Sequence, residues 1–110
     1  AAELTTTFCN GSHLLAVSGV LDGRTATTNK MLFSQIAADQ PNVNWVAEAR
    51  WVDDGDIVTG SGVSAGIDMA LYVIARLFGD ETAERLAQVT EYEWHRDPAW
   101  DPFAAKAGLP

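Results

Sequence analysis

The chain has 110 residues, of which 47% are hydrophobic, and its mean hydropathy is −0.02, so it is large enough for one globular domain with its own core and too short for two. Fifteen acidic residues against seven basic ones give a net charge of −8 with no basic cluster, which speaks against nucleic acid or an anionic membrane surface as partner. No apolar run approaches the roughly 18 residues of a membrane span. Ala1-Ala2-Glu3 lacks the regions of a secretory leader, and a single cysteine closes no internal disulfide, so a cytoplasmic setting is expected.

In chain order, Leu4 to Phe8 is rich in β-branched residues and reads as a strand that runs into Cys9. Residues 11 to 18 read as a helix, with Gly19 as its C-cap and Leu21-Asp22-Gly23 as a turn. Arg24 to Thr28 is a short strand ending at Asn29. Lys30 to Asp39 reads as a helix with Leu32, Phe33 and Ile36 on one face, stopped by Pro41. Trp45 to Val52 and Ile57 to Thr59 alternate apolar and polar residues, with Asp53-Asp54-Gly55-Asp56 as the hairpin turn between them. That acidic turn lacks the spacing of a calcium loop.

Gly60-Ser61-Gly62-Val63-Ser64-Ala65-Gly66 is a strand-to-helix junction whose small residues suit either close packing or the wall of a binding pocket. It carries neither a Lys-Ser/Thr pair nor GxGxxG, so it is not a phosphate loop. The helix it opens, Ile67 to Phe78, is the most apolar in the chain. Gly79 ends it, and Asp80 starts another helix that runs to about Thr90. The aromatic, proline-bearing segment from Glu91 to Phe103 reads as an irregular arm over the surface or over a partner subunit. The order βα-βα-ββ-αα points to an α/β fold with a parallel sheet and an inserted β-hairpin. Two or three strands are too few to cover three long helices, so the chain reads as half of a larger unit.

The most chemically suggestive stretch is Leu4 to Ser12. A strand that ends on a cysteine and turns sharply into a helix has the geometry of a nucleophile elbow, with the helix N-terminal amides aimed at the thiolate. Gly11 supplies the small residue that a tight elbow needs. A buried structural cysteine before a glycine turn has the same local sequence, and the residues alone leave both readings open. His13, one turn into the helix, and His95, in the aromatic tail, read as structural residues. Asp68 reads as a hydrogen-bonding partner, and Trp45, Trp51, Trp94 and Trp100 as core and interface packing. One cysteine and two distant histidines do not make a zinc site, and no metal or cofactor is expected.

Phe8-Cys9-Asn10-Gly11-Ser12, Leu14-Leu15-Ala16 and Gly19 to Thr28 resemble the elbow block of the ThiJ/PfpI superfamily, one of the class I glutamine-amidotransferase-like folds. Gly62-Val63-Ser64-Ala65-Gly66-Ile67-Asp68 resembles the start of a later helix in the same superfamily. Asn42 to Val46 and Glu91 to His95 look most like the isonitrile-hydratase-like branch and its fungal relatives. The resemblance covers nearly the whole chain. It implies a flavodoxin-like three-layer sandwich of which residues 1–110 are the C-terminal half. The N-terminal half, with an oxyanion-hole glycine and an acidic residue facing the cysteine, is then expected as a separate chain of a nicked protein, and the whole as a homodimer.

On this resemblance Cys9 corresponds to the nucleophile and the Asn10 N–H to one oxyanion donor, with Gly11, Asn29, Ser61 and Gly62 around the pocket. The chain departs from the family at two imidazoles. Asn10 stands where protease-like members carry His, and Asn29 where many other members carry it. Protease and glyoxalase-type chemistry is weakened accordingly. The surviving mechanism is attack of the Cys9 thiolate on a small electrophilic carbon such as that of an isonitrile, with the acid from the other half moving protons. The alternative is a non-catalytic redox-sensing or stress protein whose elbow cysteine oxidises to sulfinic acid.

Overall fold

The computed structural model describes residues 3–109. Ten elements follow in order. They are β1 (Thr5–Phe8), α1 (Gly11–Val17), β2 (Thr25–Ala26), α2 (Phe33–Asp39), β3 (Asn44–Trp45), β4 (Trp51–Asp53), β5 (Ile57–Gly60), α3 (Val63–Phe78), α4 (Asp80–Val89) and α5 (Pro102–Lys106).

β5 is the centre of the fold. All four of its residues are buried, as expected of a short apolar strand covered on both faces. β1 lies parallel to it with Thr5 opposite Ile57 and Phe8 opposite Gly60. β4 lies antiparallel to it, closing the hairpin through Asp54 to Asp56. The three-stranded sheet is therefore mixed, in the order β1-β5-β4, rather than parallel throughout. β2 and β3 form a separate parallel pair.

Successive residues of β5 point to opposite faces, and each face has its own core. Ile57 packs with Ala16 of α1, Leu21, Ala26 and Val43; Val58 packs with Trp51 and with Met69 of α3. Helices thus cover both faces of the sheet, the layering of a flavodoxin-like α/β unit. Close approach depends on glycine at two places. A Cβ on Gly66 would lie 3.1 Å from the Phe8 ring, and one on Gly60 would lie 3.0 Å from Met69 Sδ. Small residues at the junction therefore do serve packing of α3 onto β1 and β5.

Four expected boundaries move. α2 begins at Phe33, because Lys30 is drawn into buried polar contacts instead of a helical turn. The expected strand from Trp45 to Val52 is broken into β3 and β4, and just before β4 the Arg50 N–H leaves the sheet for the Pro98 carbonyl. α3 starts four residues early, at Val63. The tail is not wholly irregular. Asp101 accepts a hydrogen bond from the Phe103 N–H at 3.1 Å and, with Pro102 in the first turn, caps the short helix α5.

Candidate active site

Cys9 sits between β1 and α1 with φ +52°, a left-handed conformation that a non-glycine residue holds only when its surroundings enforce it. Two hydrogen bonds do so. The Cys9 N–H donates to the Ser61 carbonyl at 2.6 Å, and the Cys9 carbonyl accepts from Thr28 Oγ1 at 2.7 Å. The elbow is thereby tied to the ends of β5 and β2 at once. Below it, Thr7 Oγ1 and Ser12 Oγ are 2.8 Å apart, fastening β1 to the first turn of α1.

Cys9 opens onto a cleft of about 530 Å³ whose walls include Asn29, Lys30, Arg50, Ser61, Gly62 and Phe103. Of the residues expected at the pocket, Cys9, Asn29, Ser61 and Gly62 meet there. Asn10 and Gly11 do not line it. Asn10 is exposed at the N-terminal boundary of α1, and the missing Gly11 side chain would point towards Thr7 Cβ at 3.7 Å.

The floor of the cleft is charged, which sequence reasoning missed. Lys30 is buried, and its Nζ donates to Thr27 Oγ1 at 2.7 Å, to the Thr28 carbonyl at 2.7 Å and to Ser61 Oγ at 3.1 Å. Asp101 Oδ2 lies 3.2 Å from the same nitrogen, at ion-pair distance but outside hydrogen-bond alignment. Burial pulls the Lys30 ammonium below the ordinary lysine value, against the opposing pull of the Asp101 charge. Behind it, the Arg50 Nε donates to Asp68 Oδ2 at 2.6 Å, and the His95 N–H donates to Asp68 Oδ1 at 2.9 Å. Asp68 is thus the hydrogen-bonding partner expected of it. The one available signal was a base within an apolar run, Ala49-Arg50-Trp51, which a buried partner must neutralise.

Neither histidine reaches the cleft. His13 Nε2 is paired with Asp39 Oδ2 at 2.8 Å on the outer side of α1, which holds the Asp39 carboxyl below its usual range. The His95 ring stacks on Trp100 at 4.8 Å between centroids. Among the described residues, no group of three or more potential ligands could hold a metal ion, and no helix is long and apolar enough to cross a membrane.

Residues 1–76 match the DJ-1/PfpI family. The chain belongs to that family. Among curated relatives, isonitrile hydratase of Pseudomonas putida is 35% identical over 92 residues, covering 83% of this chain and 39% of the enzyme. The HTH-type transcriptional regulator CdhR of Pseudomonas aeruginosa is 32% identical over 78 residues, 71% of this chain and 23% of the regulator. A crystal structure of a ThiJ/PfpI family protein from Pseudomonas syringae superposes with TM-score 0.71 at 33% identity, over 84% of this chain and 37% of that one. The chain therefore spans well under half the length of these three relatives. The likeness to the family and its α/β fold agrees with the resemblance read from the elbow and α3 blocks.

Proposed function

We propose that this chain is the C-terminal half of a DJ-1/PfpI domain acting as a cysteine-dependent, isonitrile-hydratase-like enzyme. The observation that carries the reading is Cys9 held at positive φ, at the end of β1, on the wall of an open cleft. The 35% identity to isonitrile hydratase supports the substrate class. In this reading the Cys9 thiolate adds to the terminal isonitrile carbon, and an acid delivers a proton to that carbon, leaving a thioimidate. Water then adds to the same carbon. One proton of that water passes to nitrogen and the other restores the acid as the C–S bond breaks, so the thiolate returns and an N-substituted formamide leaves. The acid comes from the N-terminal half, held as a separate chain. β1 is an edge strand in the order β1-β5-β4, and its outer edge is where that half pairs. Homodimerisation and a cytoplasmic setting belong to the same proposal.

The test is turnover of a simple alkyl isonitrile, followed by loss of its infrared stretch, with the chain and its N-terminal half together. Cys9→Ser lowers kcat/KM by more than roughly a thousandfold. Turnover that survives the substitution excludes the mechanism.

A second reading is a redox-sensing thiol, favoured by the positions of His13 and His95 away from the cleft, which leave Cys9 without an imidazole base among the described residues. Mild peroxide then adds two oxygen atoms to the wild-type chain and none to Cys9→Ser, with no isonitrile turnover.

A further inference from the structure

We propose that Lys30 is a positioning residue for Cys9: its buried ammonium, held in place by Asp101, fixes the two residues whose hydrogen bonds keep the elbow in its left-handed conformation. Those two residues are Thr28 and Ser61. Lys30 Nζ grips the Thr28 carbonyl and Ser61 Oγ, while Thr28 Oγ1 and the Ser61 carbonyl hold the two ends of the Cys9 residue. Ser61 Oγ also donates to the Thr28 carbonyl at 3.3 Å, so the ammonium closes a ring that joins β2 to β5 beneath the thiol. The third N–H goes to Thr27 Oγ1, and the Thr27 N–H in turn donates to Thr59 Oγ1 at 2.9 Å, inside β5.

An ammonium has three N–H groups, and all three are used on the protein. Lys30 therefore has none to give a ligand, although it lines the cleft. Its role is mechanical rather than one of recognition. Holding a non-glycine residue at φ +52° costs free energy, and at Cys9, unlike the exposed Glu91 at φ +54°, a buried charge-assisted network is there to offset it. Asp101 keeps the charge in place. With 2% side-chain exposure on each partner, the ammonium has no water to lean on, and the carboxylate compensates it. Because Asp101 also caps α5, docking of the C-terminal segment and the set of the elbow are coupled through a single charge pair.

The proposal takes Cys9 as the reactive thiol but needs no particular substrate. The measurement is the intraresidue HN–Hα cross-peak of Cys9, which is strong only at positive φ, recorded for the protein in the form in which it is isolated. Wild type shows the strong peak. Lys30→Met loses it while the rest of the fold signals persist. In the isonitrile assay kcat falls about tenfold with KM unchanged, since no substrate contact is removed. Ser61→Ala, a milder change that keeps the Ser61 carbonyl, weakens the same peak and stands in should Lys30→Met not fold. An unchanged peak in folded Lys30→Met, or in Ser61→Ala where Lys30→Met is unfolded, overturns the proposal. Failure of the reactive-thiol reading is seen separately, as a wild-type Cys9 that iodoacetamide does not modify while the cross-peak still depends on Lys30.

Discussion

At the scale of single residues, the least expected feature is the density of buried charge beside one cysteine. Asp68 is fully buried, and both of its oxygens are satisfied, by the Arg50 guanidinium and by the His95 N–H. Such a pair adds little stability over an apolar pair of the same shape, but removing one partner strands the other charge in a dry site. Asp68→Ala should therefore lower the unfolding free energy by about 3–5 kcal/mol in urea denaturation. A loss below about 1 kcal/mol, the usual value of an exposed pair, would show that water reaches Arg50. Composition warned of none of this. A net charge of −8 describes the surface, whereas Lys30 and Arg50 are the two basic residues that the fold buries.

At the scale of elements, the hairpin and α3 are joined through Asp53. Burial pushes its carboxyl up, but hydrogen bonds from the Tyr72 hydroxyl and the Gly55 N–H, together with the Arg76 charge, outweigh burial and leave it below its ordinary value. The unfolded chain, with a carboxyl pKa of about 3.9, then binds more protons than the native one between the two values. Stability from this group is present above the unfolded pKa and is lost as pH falls through the folded one. Urea midpoints measured down the acid limb should fall less steeply for Asp53→Asn than for wild type, and parallel curves would contradict the assignment. The hairpin itself was legible, because Asp-Gly between alternating apolar residues has few other solutions. The break between β3 and β4 was not, and there the Arg50 N–H bonds a carbonyl far along the chain, at Pro98.

At the scale of the whole molecule, the described surface carries several large apolar side chains that are bare. Leu14, Val17, Met31, Val63, Phe78 and Val89 are all more than 60% exposed. The chain also spans only 39% of isonitrile hydratase and 37% of the Pseudomonas syringae protein. On the proposal that this chain is half of a domain, the other half covers these side chains. The isolated chain should accordingly bind the dye ANS, and adding the N-terminal half should suppress the signal. ANS fluorescence unchanged by that addition would place the partner elsewhere.

The sequence by itself determined the strand-to-helix turn at Cys9, the glycines that follow α1 and α3, and the hairpin, because each rests on local backbone chemistry, while the family was legible only as a likeness of sequence blocks. A β-branched run, a glycine at positive φ and a small-residue junction act through their nearest neighbours. Only the tertiary structure decided that Cys9 is held by Thr28 and Ser61, that Lys30 leaves the helix assigned to it, and that Arg50 meets Asp68. Apart from the bonds of Lys30 to Thr27 and Thr28, those contacts join residues 18 to 71 positions apart, and pattern over a single element carries no information about partners at that range. Asn10 and Asn29 show the same division. Both were visible as departures from the family's imidazoles, but only the fold put Asn29 on the cleft and left Asn10 outside it.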